Sequence, residues 1–215
     1  MTQVSTEKIR NIGFFGHGHC GKTMLAEAML LNMGVIHRMG SIEAGTTVSD
    51  YTKDEIERQM SMQVSLMQGE YDGHFFNIVD APGFADFSGD MVSALRAVDI
   101  ALLPVDGTAG HDIGHSIAFE AGEKFGLPRM FFVTKLDKEH TKWDEVVEHL
   151  EEEFGKKVQP IHFPVNPGLE FDTIASGLTM KAFKYSRDLT GKWTEVPLEG
   201  ENRAKALELR AKLME

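Results

Sequence analysis

The sequence predicts an α/β fold whose mostly parallel sheet is covered by helices on both faces. Three observations predict it: short apolar runs of strand length alternate with helical patterns, the alternation continues through the first two thirds of the chain, and 42% of the 215 residues are hydrophobic. Strands buried on both faces have continuous apolar sequences, and helices between them make the strands parallel. We therefore expect one globular core, with or without a small appended unit.

The elements are predicted in βα order. A strand at Asn11–Phe15 leads through a glycine-rich loop into a helix around Met24–Leu31. A polar, weakly periodic segment then extends from Gly34 to about Arg58, and it is longer than an ordinary connection in a compact domain. Further elements are predicted as a strand at Phe75–Val79, a helix that closes at Ala94–Val98, a strand at Ile100–Val105, a helix at His115–Phe125, a strand at Arg129–Val133 and a helix at Lys142–Phe154.

One strand of the sheet is expected to be antiparallel. The runs Met62–Glu70 and His74–Val79 flank Tyr71-Asp72-Gly73. An Asp-Gly step between two apolar-patterned runs is typical of a β-hairpin. The strand after this turn therefore has its preceding strand beside it, in the opposite direction.

The chain divides by sequence character into a core at 1–157 and the beginning of an inserted subdomain, without its end, at 158–215. Met180–Val196 alternates like an exposed hairpin with its turn at Asp188–Lys192, and Asn202–Glu215 is a charged helix. The apolar face of that helix is predicted to consist of Ala204, Leu207, Ala211 and Met214.

Charge and cysteine content exclude several classes of protein. Lys and Arg number 22 against 33 Asp and Glu, a net charge of 22 − 33 = −11, which opposes non-specific capture by free DNA or an anionic membrane. A nucleoprotein contacted through a local patch stays compatible with that charge. The single Cys20 excludes an internal disulfide framework and is typical of the reducing cytoplasm. No signal peptide or membrane span is expected, because no apolar run approaches 18 residues.

The first motif with chemical meaning lies between the first strand and the first helix. It matches G-x-x-x-x-G-K-[ST] and reads Gly16-His17-Gly18-His19-Cys20-Gly21-Lys22-Thr23. Such a loop curls its backbone N–H groups around a phosphate, and the following helix directs its positive end at the same anion. Lys22 would reach the β- and γ-phosphates, and the Thr23 hydroxyl would bind Mg²⁺. The alternative is a chance glycine-rich turn, which the flanking strand and helix disfavour. The loop predicts a P-loop NTPase.

Two further motifs follow predicted strands. Asp80-Ala81-Pro82-Gly83 matches D-x-x-G: the carboxylate can hold the hydration shell of Mg²⁺, and the glycine N–H can meet a γ-phosphate. Thr134-Lys135-Leu136-Asp137 can present a carboxylate to guanine N1–H and the exocyclic amine, with the Lys135 stem against the base. Taken alone, the first could be an ordinary turn and the second a helix N-cap. Because ligands bind at the carboxyl ends of strands in α/β sheets, the three motifs together predict a guanine nucleotide site.

The motifs and their surroundings resemble the GTPase domain of translation elongation factor G. The resemblance is carried by Arg10–Gly13, the first-switch-like segment Gly34–Ser61, DAPGFADF at Asp80–Phe87, GLPRMFFVTKLD at Gly126–Asp137, and the insertion-like segment Met180–Glu215. It implies a cytoplasmic, monomeric, ribosome-associated GTPase that binds GTP or GDP with Mg²⁺ and serves a translocation-type step. It also implies that the sequence is a piece of a longer protein that stops within the insertion.

The sequence departs from the family pattern at several positions. Phe84 stands where the family has the His that positions the attacking water, and phenylalanine cannot orient water. His19 replaces an Asp, so it offers no carboxylate to a monovalent cation. Arg58-Gln59-Met60-Ser61 replaces Arg-Gly-Ile-Thr, with Ser61 keeping a hydroxyl for Mg²⁺, and Thr134 replaces the usual Asn.

Two hypotheses follow from the matches and the departures. In the first the chain is a GTP-hydrolysing translation factor domain, in which Lys22 and Gly83 act at the γ-phosphate and Asp137 selects guanine. Mg²⁺ would then be held by Thr23, Ser61 and, through water, Asp80. In the second it is a catalytically weakened paralogue that serves as a nucleotide-binding or regulatory module, because Phe84 and His19 argue against turnover. A P-loop ATPase or small-molecule kinase is disfavoured by Asp137.

Overall fold

The structure is a computed structural model that describes residues 4–188 and 190–214. The chain forms two compact units. The first comprises Met1–Asp106 and Asp112–Thr134, and the second comprises Gly107–His111 and Lys135–Glu215. The boundary predicted after residue 157 falls inside the second unit. In the described part of the chain, none of the helices is both long and apolar enough to cross a membrane.

The first unit is built on a five-stranded sheet in the order β2-β3-β1-β4-β5. Its strands are β1 (Ile9–Phe14), β2 (Ser65–Tyr71), β3 (His74–Asp80), β4 (Ile100–Asp106) and β5 (Arg129–Thr134). β1 pairs in parallel with β3 and β4, β4 pairs in parallel with β5, and β2 is antiparallel to β3. This confirms the predicted α/β class, the mostly parallel sheet and the hairpin.

Helices cover both faces of this sheet. α1 (Lys22–Asn32) packs on one face, and α3 (Ser88–Leu95) and α4 (Ile113–Lys124) pack on the other, while the short α2 (Lys53–Arg58) lies in the segment before β2. Phe14 packs in a core with Ala26 and Leu30 of α1, whereas the next residue, Phe15, packs with Leu95 of α3 and Ala118 of α4. Consecutive side chains along an extended chain point to opposite faces, so these two phenylalanines anchor the two layers of helices.

Two helices of the first unit differ from the sequence prediction. α3 ends at Leu95 rather than at Val98, because the N–H groups of Arg96 and Ala97 bond three residues back, to Ser93 and Ala94. α2 was not predicted at all. It begins with a capping box in which Thr52 and Glu55 bond each other's backbone N–H, and the T-x-x-E spacing of that box is visible in the sequence.

The second unit contains an antiparallel sheet in the order β6-β7-β8-β9 and two helices. The elements are α5 (Trp143–Phe154), β6 (His162–Pro164), β7 (Thr173–Ser176), β8 (Lys181–Tyr185), β9 (Trp193–Val196) and α6 (Gly200–Met214). The β8–β9 pairing confirms the predicted hairpin, and Leu189 in its predicted turn lies outside the described residues.

The predicted apolar face of α6 is wrong. The four residues assigned to it are exposed, and the helix instead buries Ala206 completely against Phe163, Ala175 and Ala182. The residues of the second unit that face this side of the helix are small and leave room for it. Gly177 is an example, because a methyl group there would lie 2.7 Å from Leu209 of the helix. The helix therefore packs through a second apolar stripe with i, i+3 and i+7 spacing, formed by the buried Ala206 and the half-buried Leu209 and Leu213.

A buried carboxylate fixes the long segment between α1 and α2. Glu27 of α1 is 1% exposed, and its two oxygens accept hydrogen bonds from the N–H groups of Gly40 and Val48, each at 2.7 Å. Hydrogen bonds to an ionised acceptor are among the stronger ones in proteins. A side chain of the first helix therefore attaches this polar, weakly periodic segment to the core.

Replacing Glu27 tests this attachment. We expect Glu27→Gln to lower the free energy of unfolding by about 2 kcal/mol, because the amide NH₂ faces an N–H donor and one charge-assisted bond is lost. Urea unfolding measures the loss, and limited proteolysis should cut residues 36–50 faster. Glu57→Gln, at an exposed position of α2, is the matched control and should change neither. Equal stability of the two variants would contradict the role given to Glu27.

Candidate functional site

The glycine-rich loop connects β1 to α1 with a backbone that curls at two glycines. Gly16 and Gly21 have φ values of +123° and +99°, a region that residues with a Cβ rarely adopt. Gly21 is the N-cap of α1 and makes no side-chain capping bond, so the first-turn N–H groups of the helix stay available to an anion.

Lys22 is turned back across this loop. Its side chain is 5% exposed, and Nζ donates to the carbonyl oxygens of Gly16 at 3.1 Å and His17 at 2.7 Å. An ammonium group has three donors, and the third contact of Nζ is a long one, 3.9 Å to Cys20 Sγ, so that donor can turn to a phosphate oxygen. Lys22 is thus held at the loop by the loop's own backbone.

The parallel pairing of β1 and β3 brings the second motif to the same place. Phe14 lies in register with Asp80, so the loop after β1 and the end of β3 meet at one sheet edge. There the Thr23 hydroxyl donates to Asp80 Oδ2 at 2.8 Å and lies 3.4 Å from the Ser61 hydroxyl. The three predicted metal-binding residues form one cluster.

A hydrated cation fits this cluster. Asp80 is fully buried, yet its Oδ1 has no hydrogen-bond partner in the described structure, and the same holds for Oδ1 of the nearly buried Asp50. Unpaired buried carboxylate oxygens are costly, and oxygen donors of this kind are the ligands that Mg²⁺ prefers. Asp50 was missed by the sequence analysis because it lies outside every motif, in the weakly periodic segment.

Burial changes the acidity of both carboxyl groups. It raises the pKa of Asp80 to about 6, against the opposing effect of the Lys22 charge. Burial likewise raises the pKa of Asp50. A cation between them would stabilise the ionised forms and lower both values.

The D-x-x-G segment lies directly on the glycine-rich loop. A methyl group on Gly83 would contact Lys22 Nζ and would lie 2.6 Å from the Gly18 backbone nitrogen. The Phe84 ring covers Gly18, where a methyl group would be 2.7 Å from Cζ. Two further residues of this segment, Ala81 and Pro82, are buried.

Two histidines of the loop flank the Phe84 ring. Its centroid lies 6.0 Å from that of His17 and 5.8 Å from that of His19, the second in an edge-on arrangement. His17 Nδ1 is 3.5 Å from Asp112, whereas His19 is exposed and has a φ of +62°. Phe84, which the sequence resemblance places at the position of a water-positioning histidine, is therefore an apolar ring packed between two imidazoles.

A buried histidine that the sequence analysis did not single out supports the loop from beneath. His115 is 1% exposed and lies under Gly16, where a methyl group would be 2.8 Å from the ring. Its Nδ1 accepts from the Asp112 N–H at 3.0 Å, and its Nε2 lies 2.7 Å from the Pro104 carbonyl. The imidazole is therefore neutral with its proton on Nε2. A histidine within a helical pattern does not indicate, from sequence alone, that its ring lies under the glycine-rich loop.

The third motif is divided between the two units. Thr134 ends β5 in the first unit, and its hydroxyl lies 2.8 Å from the carbonyl oxygen of Cys20, whose side chain is buried. Lys135 and Asp137 belong to the second unit, where the Lys135 backbone has a φ of +55° and Asp137 is an exposed carboxylate. The structure thus gathers the loop 16–23, Ser61, 80–84 and Thr134 in one unit.

Comparisons with known proteins agree with this geometry. Residues 7–208 match the family described as the elongation factor Tu GTP binding domain. The chain is also similar to the crystal structure of a protein from Thermus thermophilus, with 33% sequence identity and a TM-score of 0.88. That similarity covers 96% of this chain and 30% of the Thermus protein, so the chain spans about a third of its length.

The raised pKa of Asp80 predicts a pH dependence of stability without metal. Between its ordinary pKa of 3.8 and the folded value of about 6, the folded state binds more protons than the unfolded state, so stability falls as pH rises through this window. At pH 7.5 and in the presence of a chelator, we expect the free energy of unfolding of Asp80→Asn to be about 1–3 kcal/mol higher than that of the native chain. Urea titrations from pH 4 to 7.5 measure the difference. A difference independent of pH would contradict the assigned cause.

The close approach of Gly83 to the loop predicts a specific steric effect. We expect Gly83→Ala to weaken Mg²⁺·GTP binding at least about tenfold, because the methyl group would displace the segment from Lys22 and Gly18. Equilibrium titration with a fluorescent GTP analogue measures this. Gly89→Ala, where a methyl group meets nothing within 4 Å, should bind normally. Normal binding by both variants would refute the steric argument.

Proposed function

The chain belongs to the family of elongation factor Tu GTP-binding domains, and we propose that it is the guanine-nucleotide switch domain of an elongation factor G-like translational GTPase. The observation that carries the proposal is the cluster of Thr23, Ser61 and Asp80 beside Lys22, in which buried oxygens lie beside the glycine-rich loop. In this proposal the chain changes conformation on the ribosome according to the nucleotide it holds.

Each group of the cluster has a role in binding the phosphates. Lys22 and the first-turn N–H groups of α1 would neutralise the β- and γ-phosphates. Thr23 and Ser61 would supply hydroxyl oxygens to Mg²⁺, and Asp80 would hold its water. When bound, Mg²⁺ supplies positive charge to the phosphate oxygens. Gly83, on which a methyl group would contact Lys22, would present its N–H to the γ-phosphate.

Guanine selectivity is proposed for Asp137. Its carboxylate follows β5 in a T-K-L-D sequence and is exposed, with Lys138 as an ion partner at 3.8 Å in the second unit. A carboxylate can accept two hydrogen bonds from guanine, whereas adenine offers no matching pair of donors. Lys135 would lie along the base.

The ribosomal role rests on the family and on the elongation factor G-like sequences of the first switch and of the 158–215 segment. A net charge of −11 requires that any contact with ribosomal RNA be made through a local patch or through other parts of a longer protein. Translocation is the step that the resemblance favours.

One observation favours a second candidate function, that of a nucleotide-holding paralogue with weak turnover. Phe84 lies over Gly18 and presents an apolar ring where a water-orienting group is expected. A domain of this kind would keep GTP bound for long periods and would act by binding its partner in the GTP-bound conformation. The two functions share the nucleotide site and differ in hydrolysis.

Base selectivity tests the nucleotide assignment. We expect the native chain to prefer GTP and GDP over ATP, and Asp137→Asn to shift the preference toward xanthosine triphosphate by at least about tenfold, since one amide donor then faces the base. Competition against a fluorescent guanine nucleotide measures this. Asp144→Asn, at an exposed carboxylate of α5, is the control and should keep the native preference.

Phosphate release with and without ribosomes separates the two candidate functions. Strong stimulation by ribosomes supports the translating GTPase, and tight GTP binding without stimulation supports the nucleotide-holding paralogue. Equal affinity for GTP and ATP in the native chain would contradict both.

A further inference from the structure

We propose that Gln59 orients the water molecule that attacks the γ-phosphate. The inference rests on the GTP binding proposed above and adds a residue to it. Nothing in the three sequence motifs points to this residue, and in the family pattern its place is a glycine.

Gln59 lines the groove in which the phosphates would lie. The walls of that groove include Thr23 and Ser61 on the metal side, and Gly83 and Phe84 on the side of the D-x-x-G segment. Gln59 is an exposed residue and is one of those that line this groove. It therefore shares one opening with Phe84, although the two residues come from different segments of the chain.

The backbone of Gln59 is fixed in an unusual conformation. It is the C-cap of α2, with φ +53° and ψ +41°, and its N–H bonds back to the carbonyls of Glu55 and Ile56. Residues with a Cβ seldom occupy this left-handed region, and glycine would occupy it at no steric cost. A glutamine at this position presents a polar side chain, which glycine cannot do.

A buried carboxylate fixes the chain on both sides of Gln59. Glu55 is 1% exposed; it accepts hydrogen bonds from Thr52 at the start of α2 and from the N–H groups of Met62 at 3.0 Å and Gln63 at 3.2 Å. The segment from 59 to 63, with Ser61 in its middle, is thereby closed into a loop of defined path. A side chain on such a loop is positioned well enough to act on one water molecule.

The amide of Gln59 is available for this role. Within residues 4–188 and 190–214, its side chain makes no hydrogen bond. An amide can accept a hydrogen bond from water through Oε1 while it donates through Nε2 to a phosphate oxygen. Phe84 can do neither, so the polar function absent from the D-x-x-G segment is available from the segment before β2.

The reaction needs no group beyond those already named. The water oxygen forms a bond to the γ-phosphorus, and the bond from that phosphorus to the β–γ bridging oxygen breaks, leaving GDP and inorganic phosphate. One water proton stays on the phosphate and the other leaves to solvent. Gln59 holds the water by hydrogen bonds and takes no proton.

His19 is another polar side chain with hydrogen-bonding capacity that lines the groove, on the side of Phe84. Its ring is packed edge-on against Phe84, and its backbone belongs to the phosphate loop. A water-orienting role for His19 in place of Gln59 is therefore a distinct outcome of the same experiment.

Single-turnover phosphate release from Mg²⁺·GTP by the 215-residue chain tests the proposal. In Gln59→Ala the residue still has a Cβ in the left-handed conformation, and only the amide is removed. Gln63→Ala is the matched control, because it removes an exposed amide of the same loop. We expect Gln59→Ala to release phosphate about tenfold or more slowly, with unchanged affinity for a non-hydrolysable GTP analogue and an unchanged melting temperature. Gln63→Ala should match the native chain in all three.

The contrary outcomes are distinct. Native-like release by Gln59→Ala overturns the proposal, and slow release by His19→Ala in the same assay would then assign the water to His19. Release by the native chain no faster than from free GTP in buffer also overturns it, while leaving nucleotide binding intact. Failure of the native chain to bind the GTP analogue refutes the proposed function itself.

Discussion

The parallel pairing of β1 with β3 is the constraint on which the candidate site depends. It places Phe14 opposite Asp80, so that the phosphate loop and the D-x-x-G segment leave the sheet side by side. The hydrogen bond from Thr23 to Asp80 joins two residues 57 positions apart because of this register. A shift of one residue in the pairing would turn the Asp80 side chain to the other face of the sheet and would separate the two halves of the site.

The buried carboxylates of the first unit have two different roles around that register. Glu27 and Glu55 accept hydrogen bonds from backbone N–H groups, and they hold the segment between α1 and β2 in place. Asp50 and Asp80 each keep an oxygen without a partner among the described residues. The first pair of buried carboxylates thus stabilises the fold, whereas the second pair is left with oxygens that a bound cation would satisfy. Mg²⁺ bound as proposed would offset the cost of burying these oxygens and would stabilise the folded protein.

The departures from the family pattern are structurally connected. Phe84 can lie on the phosphate loop because Gly18 has no side chain, and the ring is then enclosed by His17 and His19. Filling this space removes a hydrogen-bonding group from one side of the groove, while Gln59 adds one on the other. These residues contact one another or share one groove, so we expect that the effects of mutating them will not add independently.

The sequence by itself determined the features that depend on local spacing. The phosphate loop, the D-x-x-G and T-K-L-D motifs, the β2–β3 hairpin and the alternation of strands and helices are all set by residues within a few positions of each other. Tertiary structure alone decided which other residues meet them. Asp50, His115 and the buried side of α6 derive their environment from chain segments far away in sequence, and the apolar pattern of α6 did not indicate which of its apolar stripes would be buried. Local patterns encode an element and its periodicity, whereas the partner that an element packs against depends on the space and charge that distant segments present.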